Sequence, residues 1–312
     1  MKVWRGDPLT WGPPPPAGSA VTIGVFDGVH IGHRAVLTDV AARARELGGL
    51  EQVVLTFDKH PRAVVDPGQA PALLTSLDER IDLLQEIGID VIGVLPFEQV
   101  RDASPDTFVS KVLVGAFASR LVVVGADFKF GHGRAGDVST LRAAGVEYGF
   151  EVDAIVLSAV EGAPISSTTI RTLVQDGDVA SAAQLLGRPF AVVGEVVRGD
   201  ERGRTIGFPT ANVVPDATFV VPKRGVYAAR VWLDRRQAVR HEAVVNIGIR
   251  PTFGGDRQVV EAHLLDFDGD LYGRRIGIEM VERIRDERTF AGIEALVGQI
   301  AADVDAARDL LR

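Results

Sequence analysis

The chain has 312 residues, enough for two domains that each bury a core of their own. Its 34 Lys and Arg against 42 Asp and Glu leave a net charge of -8, which excludes a broad electrostatic grip on nucleic acid or on an anionic membrane. The absence of cysteine excludes disulfides, thiolate zinc sites and a cysteine nucleophile, and no apolar run reads as a membrane span.

Residues 1–7 lack the apolar stretch of a signal peptide, so the cytoplasm is the expected compartment. Pro13 to Pro16 form an extended lead-in. Strand-like runs at 21–25, 53–57, 91–95, 121–124 and 152–156 then alternate with helical patterns near 34–47, 77–87, 105–117 and 138–148. The third helix is started by Ser104, with Pro105 in its first turn. Such alternation predicts an α/β domain, a parallel sheet covered by helices, whose ligands sit at the carboxyl ends of the strands. Two short helices at 167–175 and 178–186 lead to Gly187-Arg188-Pro189, which divides the chain into 1–186 and 187–312. Beyond it the runs are short and β-rich, at 191–197, 225–233, 242–247, 259–266 and 276–281, as in a small barrel or sandwich. A helical pattern over 291–311 closes the chain, and there is no internal repeat.

The stretch from Gly24 through Val25, Phe26, Asp27, Gly28, Val29, His30, Ile31 and Gly32 to His33 follows the first strand and opens the first helix. Backbone N–H groups at a helix start attract phosphate, and glycines admit a nucleotide close to the backbone. A lone histidine there is ordinarily held by local hydrogen bonds. Two histidines three apart, between a strand and an amphipathic helix, instead suit a nucleoside triphosphate, whose developing charge they can offset as donors. A second candidate, 123–137, runs from a buried strand into a glycine-rich loop with Asp127, Phe128 and His132. The third, Ile165-Ser166-Ser167-Thr168-Thr169-Ile170-Arg171, has more hydroxyls than a helix cap needs and an arginine fit for bidentate contact with phosphate.

Together these segments resemble the FMN adenylyltransferase module of bacterial bifunctional FAD synthetases, with its G-x-F-D-G-x-H-x-G-H, T-F-x-x-H-P, V-G-x-D-F-x-F-G and I-S-S-T-x-I-R motifs. The second motif stands at Thr56-Phe57-Asp58-Lys59-His60-Pro61. The second half carries Gly203-Arg204-x-x-Gly207-Phe208-Pro209-Thr210-Ala211-Asn212, Gly225-Val226-Tyr227, Asn246 to Phe253 and Glu261 to Phe267, and is similar to riboflavin kinase. The resemblance covers nearly the whole chain. It implies a Rossmann-like nucleotidyltransferase domain followed by a six-stranded barrel with a terminal helix. It further implies ATP-dependent phosphorylation of riboflavin to FMN, and adenylylation of FMN to FAD with release of pyrophosphate. For the second reaction it points to His30, His33, Ser166, Ser167, Thr168 and Arg171 as catalytic, to Gly24, Phe26, Asp27, Gly28 and Gly32 for ATP, and to Phe57, Asp58, Asp127 and Phe128 for flavin. For the kinase it points to Glu261 as general base, Thr210 and Asn212 as Mg²⁺ ligands, Gly203, Arg204 and Gly207 for ATP, and Asn246, Arg250 and Thr252 for flavin. Residues 246–255, rich in glycine, are expected as a flap over the flavin.

On residues alone the rivals are a nucleotidyltransferase with another phosphate acceptor and a flavin-binding regulator without turnover. An aminoacyl-tRNA synthetase fits worst, because the charge is wrong and no K-M-S-K-S-like segment is present. The expected partners are small molecules only, with neither nucleic acid nor membrane, and a homo-oligomer is left open.

Overall fold

The computed structural model describes residues 2–155, 159–160, 163–199, 202–235, 237–252 and 255–312, the side chains of 159–160, 163–164, 202, 250–252 and 255–257 excepted. The chain divides into two compact units, Met1–Ser166 and Ser167–Arg312.

In the first unit six strands, β1 (Lys2–Arg5), β2 (Ser19–Ile23), β3 (Glu51–Phe57), β4 (Val91–Leu95), β5 (Ser119–Gly125) and β6 (Glu151–Ile155), form one parallel sheet in the order β1-β4-β3-β2-β5-β6. Both faces are buried. Val53 and Leu55 join one apolar cluster while Val54, between them, joins the other, which is why the strands read as continuous apolar runs. From β2 the chain builds outward through β3 and β4, then returns to place β5 on the other side of β2. That reversal opens a crevice at the carboxyl end of β2, where the histidine signature lies.

The sheet is covered by α1 (Ile31–Glu46), α2 (Leu77–Glu86) and α3 (Val138–Tyr148), together with the helical segment that starts at Pro105. A Ser76–Glu79 capping box starts α2 and Gly149, left-handed at φ 80°, ends α3. The helix expected over 105–117 is α-helical only at Pro105–Phe108 and continues as a π-helix over Val109–Ala116. Two further differences concern strands. β1 was not anticipated: it is four residues long, lies at the sheet edge, and is anchored by Trp4 against Trp11 and Phe117. β2 ends at Ile23, two residues early, because Gly24 begins a turn with left-handed backbone at Phe26 and Val29.

The second unit opens with α4 (Ser167–Asp176) and α5 (Val179–Leu186) and continues into a closed barrel. Its strands are β7 (Phe190–Val197), β8 (Ala211–Pro215), β9 (Gly225–Trp232), β10 (His241–Thr252), β11 (Gly255–Leu264) and β12 (Arg275–Arg285). All neighbours are antiparallel, in the closed order β7-β8-β11-β10-β9-β12. The terminal helix α6 (Ile293–Leu311) packs on β9, β10 and β12. It is tied to β12 by the bidentate pair of Arg285 with buried Asp303, at 2.8 and 2.6 Å. β8 escaped the sequence reading because its alternation is broken by Asn212, which serves a cavity. The expected flap continues the ladder of β10 and β11, from Ile247 opposite Val260 to Thr252 opposite Gly255, with residues 253 and 254 outside the description.

Candidate active sites in two units

At the carboxyl end of β2 the backbone makes an unusual turn. Phe26 (φ 52°), Gly28 (φ 84°) and Val29 (φ 41°) are all left-handed, a conformation that is costly for a β-branched valine and persists only where packing enforces it. The enforcement comes from Asp27. Its buried carboxylate accepts from the Leu74 and Thr75 backbone N–H groups at 3.0 and 3.1 Å and from the Thr75 hydroxyl at 3.2 Å, while Gly28 N–H donates to the same hydroxyl at 3.0 Å. Asp27 therefore holds the turn in shape.

His30 caps α1, its Nδ1 accepting from the His33 N–H at 3.2 Å, and the two imidazoles stack with centroids 3.6 Å apart. Phe26 meets His33 edge-on at 5.2 Å, and a Cβ on Gly32 would lie 3.2 Å from the His30 ring, so glycine permits the stack. Burial, then the neighbouring His30, then Arg80, hold the His33 imidazole well below its ordinary pKa and keep it neutral. His33 Nδ1 and Arg34 Nε are buried without a hydrogen-bond partner among the described residues. Arg34 Nε is a donor, and so is His33 Nδ1 in the tautomer that carries the proton there; buried donors without acceptors are what an anionic ligand satisfies.

Gly24 and Val25, Phe57 at the end of β3, and Asp127 and Phe128 after β5 line one cavity of about 1110 Å³. Its wall is aromatic: Phe57 meets Phe97 at 5.3 Å, and Phe128 stacks on Phe130 at 5.6 Å and 15°. A flat polycyclic ligand suits such a wall. Asp58 lies apart from this lining, its carboxylate accepting from the Lys59 and Phe97 backbone N–H groups. His132 is solvated and faces Asp102 at 3.3 Å. Ser166 closes the first unit, and Ser167, Thr168 and the nearly buried Arg171 lie on α4 of the second.

In the barrel, Asn212 on β8, Glu261 on β11 and Asn246 on β10 are direct cross-strand partners and line one cavity of about 440 Å³. Thr210 and Asn212 also line a second cavity, of about 470 Å³, with Arg204, Asp268 and Tyr272. Asn212 Oδ1 is buried without a hydrogen-bond partner among the described residues. A Cβ on Gly199 would collide with the Asn212 amide, which would have to turn away from its present position. His263 Nδ1–H donates to the Pro209 carbonyl at 2.8 Å and its ring meets Phe208 edge-on, which fixes the turn that delivers Thr210. Gly203 lets its backbone approach the Phe208 carbonyl, and Gly207 turns the loop at φ 89°. The side chains of Arg250 and Thr252 lie outside the described residues. Sequence reasoning gave no role to Gly199 or Arg80, although Gly199 opens the run of glycines every four residues at 199, 203 and 207.

Comparison with known proteins agrees with both halves. The FAD synthetase family model matches residues 13–169 and the riboflavin kinase family model residues 186–311. The chain is 43% identical to the bifunctional riboflavin kinase/FMN adenylyltransferase of Escherichia coli (strain K12), over 95% of this chain and 93% of that one. The chain belongs to this family. The bifunctional enzyme of Bacillus subtilis (strain 168) is 37% identical over 92% of this chain and 90% of its own length. A crystal structure described as a macrolide-efflux protein from Streptococcus pneumoniae matches with a TM-score of 0.87 and 31% identity, covering 99% of each chain. No helix among the described residues is long and apolar enough to cross a membrane. As a member of the bifunctional family, the chain is a riboflavin kinase and FMN adenylyltransferase, an enzyme of FMN and FAD synthesis whose substrates are riboflavin, FMN and ATP.

Proposed function

We propose that the two reactions are divided between residues 1–186 and 187–312, each with its own cavity and catalytic residues. The observation that supports this reading is that each half has motif residues in the lining of a cavity sized for a small ligand, Gly24, Phe57, Asp127 and Phe128 in one and Thr210, Asn212, Asn246 and Glu261 in the other.

In the adenylyltransferase half, FMN occupies the aromatic cavity, with Phe57 and Phe128 against its ring system. Asp127 lines the same cavity, and Asp58 shapes its rim through Phe97. An oxygen of the FMN phosphate attacks the α-phosphorus of ATP, and pyrophosphate leaves. His30 and His33 donate to the triphosphate. The resemblance assigns Ser166, Ser167, Thr168 and Arg171 to the triphosphate as well, and hydroxyls with a guanidinium are suited to phosphate oxygens. Gly24, Gly28 and Gly32 admit the nucleotide to the helix start, and Phe26 and Asp27 hold that turn. The rate gain is positioning and electrostatics, without a covalent enzyme intermediate.

In the kinase half, the riboflavin 5′-hydroxyl gives its proton to Glu261 as its oxygen attacks the γ-phosphorus of ATP, and ADP leaves. Asn246, Arg250 and Thr252 serve the flavin, while Gly203, Arg204 and Gly207 form the loop beside the nucleotide. The orphaned Asn212 Oδ1 and the neighbouring Thr210 hydroxyl are hard oxygen donors and fit Mg²⁺. Bound there, Mg²⁺ would supply charge neutralisation for the phosphates. The reactions belong to the cytoplasm, where riboflavin and ATP meet.

Incubation with riboflavin, ATP and Mg²⁺, with the fluorescent flavins separated over time, tests the reading. FMN should rise first and FAD follow. FMN alone would confine catalysis to the barrel, and no conversion would leave a flavin binder.

A further inference from the structure

Arg80 plays no part in the roles above. It lies on α2, where its charge leads one to expect a solvated side chain, yet it is 2% exposed. Its Nη1 donates to the Thr56 hydroxyl at 3.1 Å and to the Phe57 carbonyl at 3.2 Å, and the Thr56 hydroxyl donates to the Val25 carbonyl at 3.1 Å. One guanidinium thus joins the carboxyl end of β3 to the signature turn, and both Val25 and Phe57 line the aromatic cavity. Arg80 Nε is buried without a hydrogen-bond partner among the described residues, like His33 Nδ1 and Arg34 Nε. Burial lowers the Arg80 pKa and the field of Asp27 opposes that, so the cation is retained in a costly position.

Bringing an FMN phosphate up to a triphosphate requires positive charge close by, in a setting where water screens little. Of the cations that line the cavity, Lys129 is engaged by Asp137 at 3.1 Å and Arg101 by Asp102 at 3.3 Å, and Arg62 and Arg134 are exposed, whereas Arg80 is buried beside the signature turn. We propose that Arg80 is a positioning residue for adenylyl transfer, a fixed buried charge that, through Thr56 and Phe57, holds the nucleotide turn and the flavin cavity wall in one arrangement. This inference rests on the adenylyltransferase reading above and adds a residue to it.

The test is Arg80→Met beside Arg80→Lys. With FMN and ATP saturating, Arg80→Met should lower the rate of FAD formation about tenfold or more, and release of the Phe57 carbonyl should raise the KM for FMN as well. The acid limb of its pH profile should also move to higher pH, since an imidazole relieved of a neighbouring cation protonates more readily. The charged groups around His33 are His30 on its own turn, Arg34 on α1 and Arg80 from α2, with Asp27 acting on Arg80. Arg80→Lys keeps the charge and should recover both rate and acid limb. Riboflavin kinase activity should be unchanged in both, and thermal melting reports whether the first unit is folded. If Arg80→Met does not fold, the lysine variant decides: a retained rate and acid limb support the charge, and their loss overturns it. A wild-type rate and profile in folded Arg80→Met, or equal losses in both variants, also overturns it. Unmutated protein that makes FMN but no FAD would instead sink the adenylyltransferase reading.

Discussion

The two candidate sites use the same reagent, ATP, with opposite equipment. Among the described residues, the buried side-chain atoms without partners at and beside the signature turn are nitrogens, on His33, Arg34 and Arg80, whereas in the lining of the barrel cavity the corresponding atom is an oxygen, Asn212 Oδ1, with the nitrogen of Arg283 outside that lining. Nitrogen donors can take hold of phosphate directly; oxygen acceptors need a cation between themselves and the phosphate. The difference teaches that a single chain can adopt two solutions to phosphate recognition when each has its own scaffold, an open parallel sheet in one case and a closed barrel in the other.

The largest expected effects would separate the sites outright. Glu261→Ala should reduce FMN formation about 10²–10⁴-fold, as for loss of a general base, and leave FAD formation from supplied FMN intact. His33→Ala should do the reverse, with a loss of about 10²–10³-fold in FAD formation. Parallel loss of both activities in either folded variant would break the comparison. Gly199→Ala sharpens it, because its Cβ would collide with the Asn212 amide. Kinase activity should fall about tenfold and need more Mg²⁺ for half-maximal rate, with adenylylation unchanged. Smallest is Phe128→Ala, which removes one stacking partner and should raise the KM for FMN about two- to tenfold in steady-state assays, without altering the KM for riboflavin.

Much of this was legible in the sequence, for identifiable reasons. The sheet strands declared themselves because burial on both faces demands continuous apolar runs, as at Val91–Leu95. The signature was legible because its glycines and histidines have few other uses at that spacing. Arg80 was not, since an arginine in an amphipathic helix reads as solvated until the fold buries it between α2 and β3. Strand β8 stayed hidden because Asn212, at a cavity-facing position, disguises the alternation that marks a strand. The π-helical turn at Val109–Ala116 keeps the same apolar residues buried as an α-helix would, so the pattern could not announce it.

Thr210 and Asn212 stand in the lining of both barrel cavities. Should riboflavin take the cavity that holds Glu261 and the nucleotide the other, Thr210 and Asn212 would stand between them and the phosphoryl group would pass directly from one to the other. A single displacement along that line turns the phosphoryl group inside out. A γ-phosphate made chiral with oxygen isotopes and sulfur should therefore arrive on the flavin with its handedness inverted.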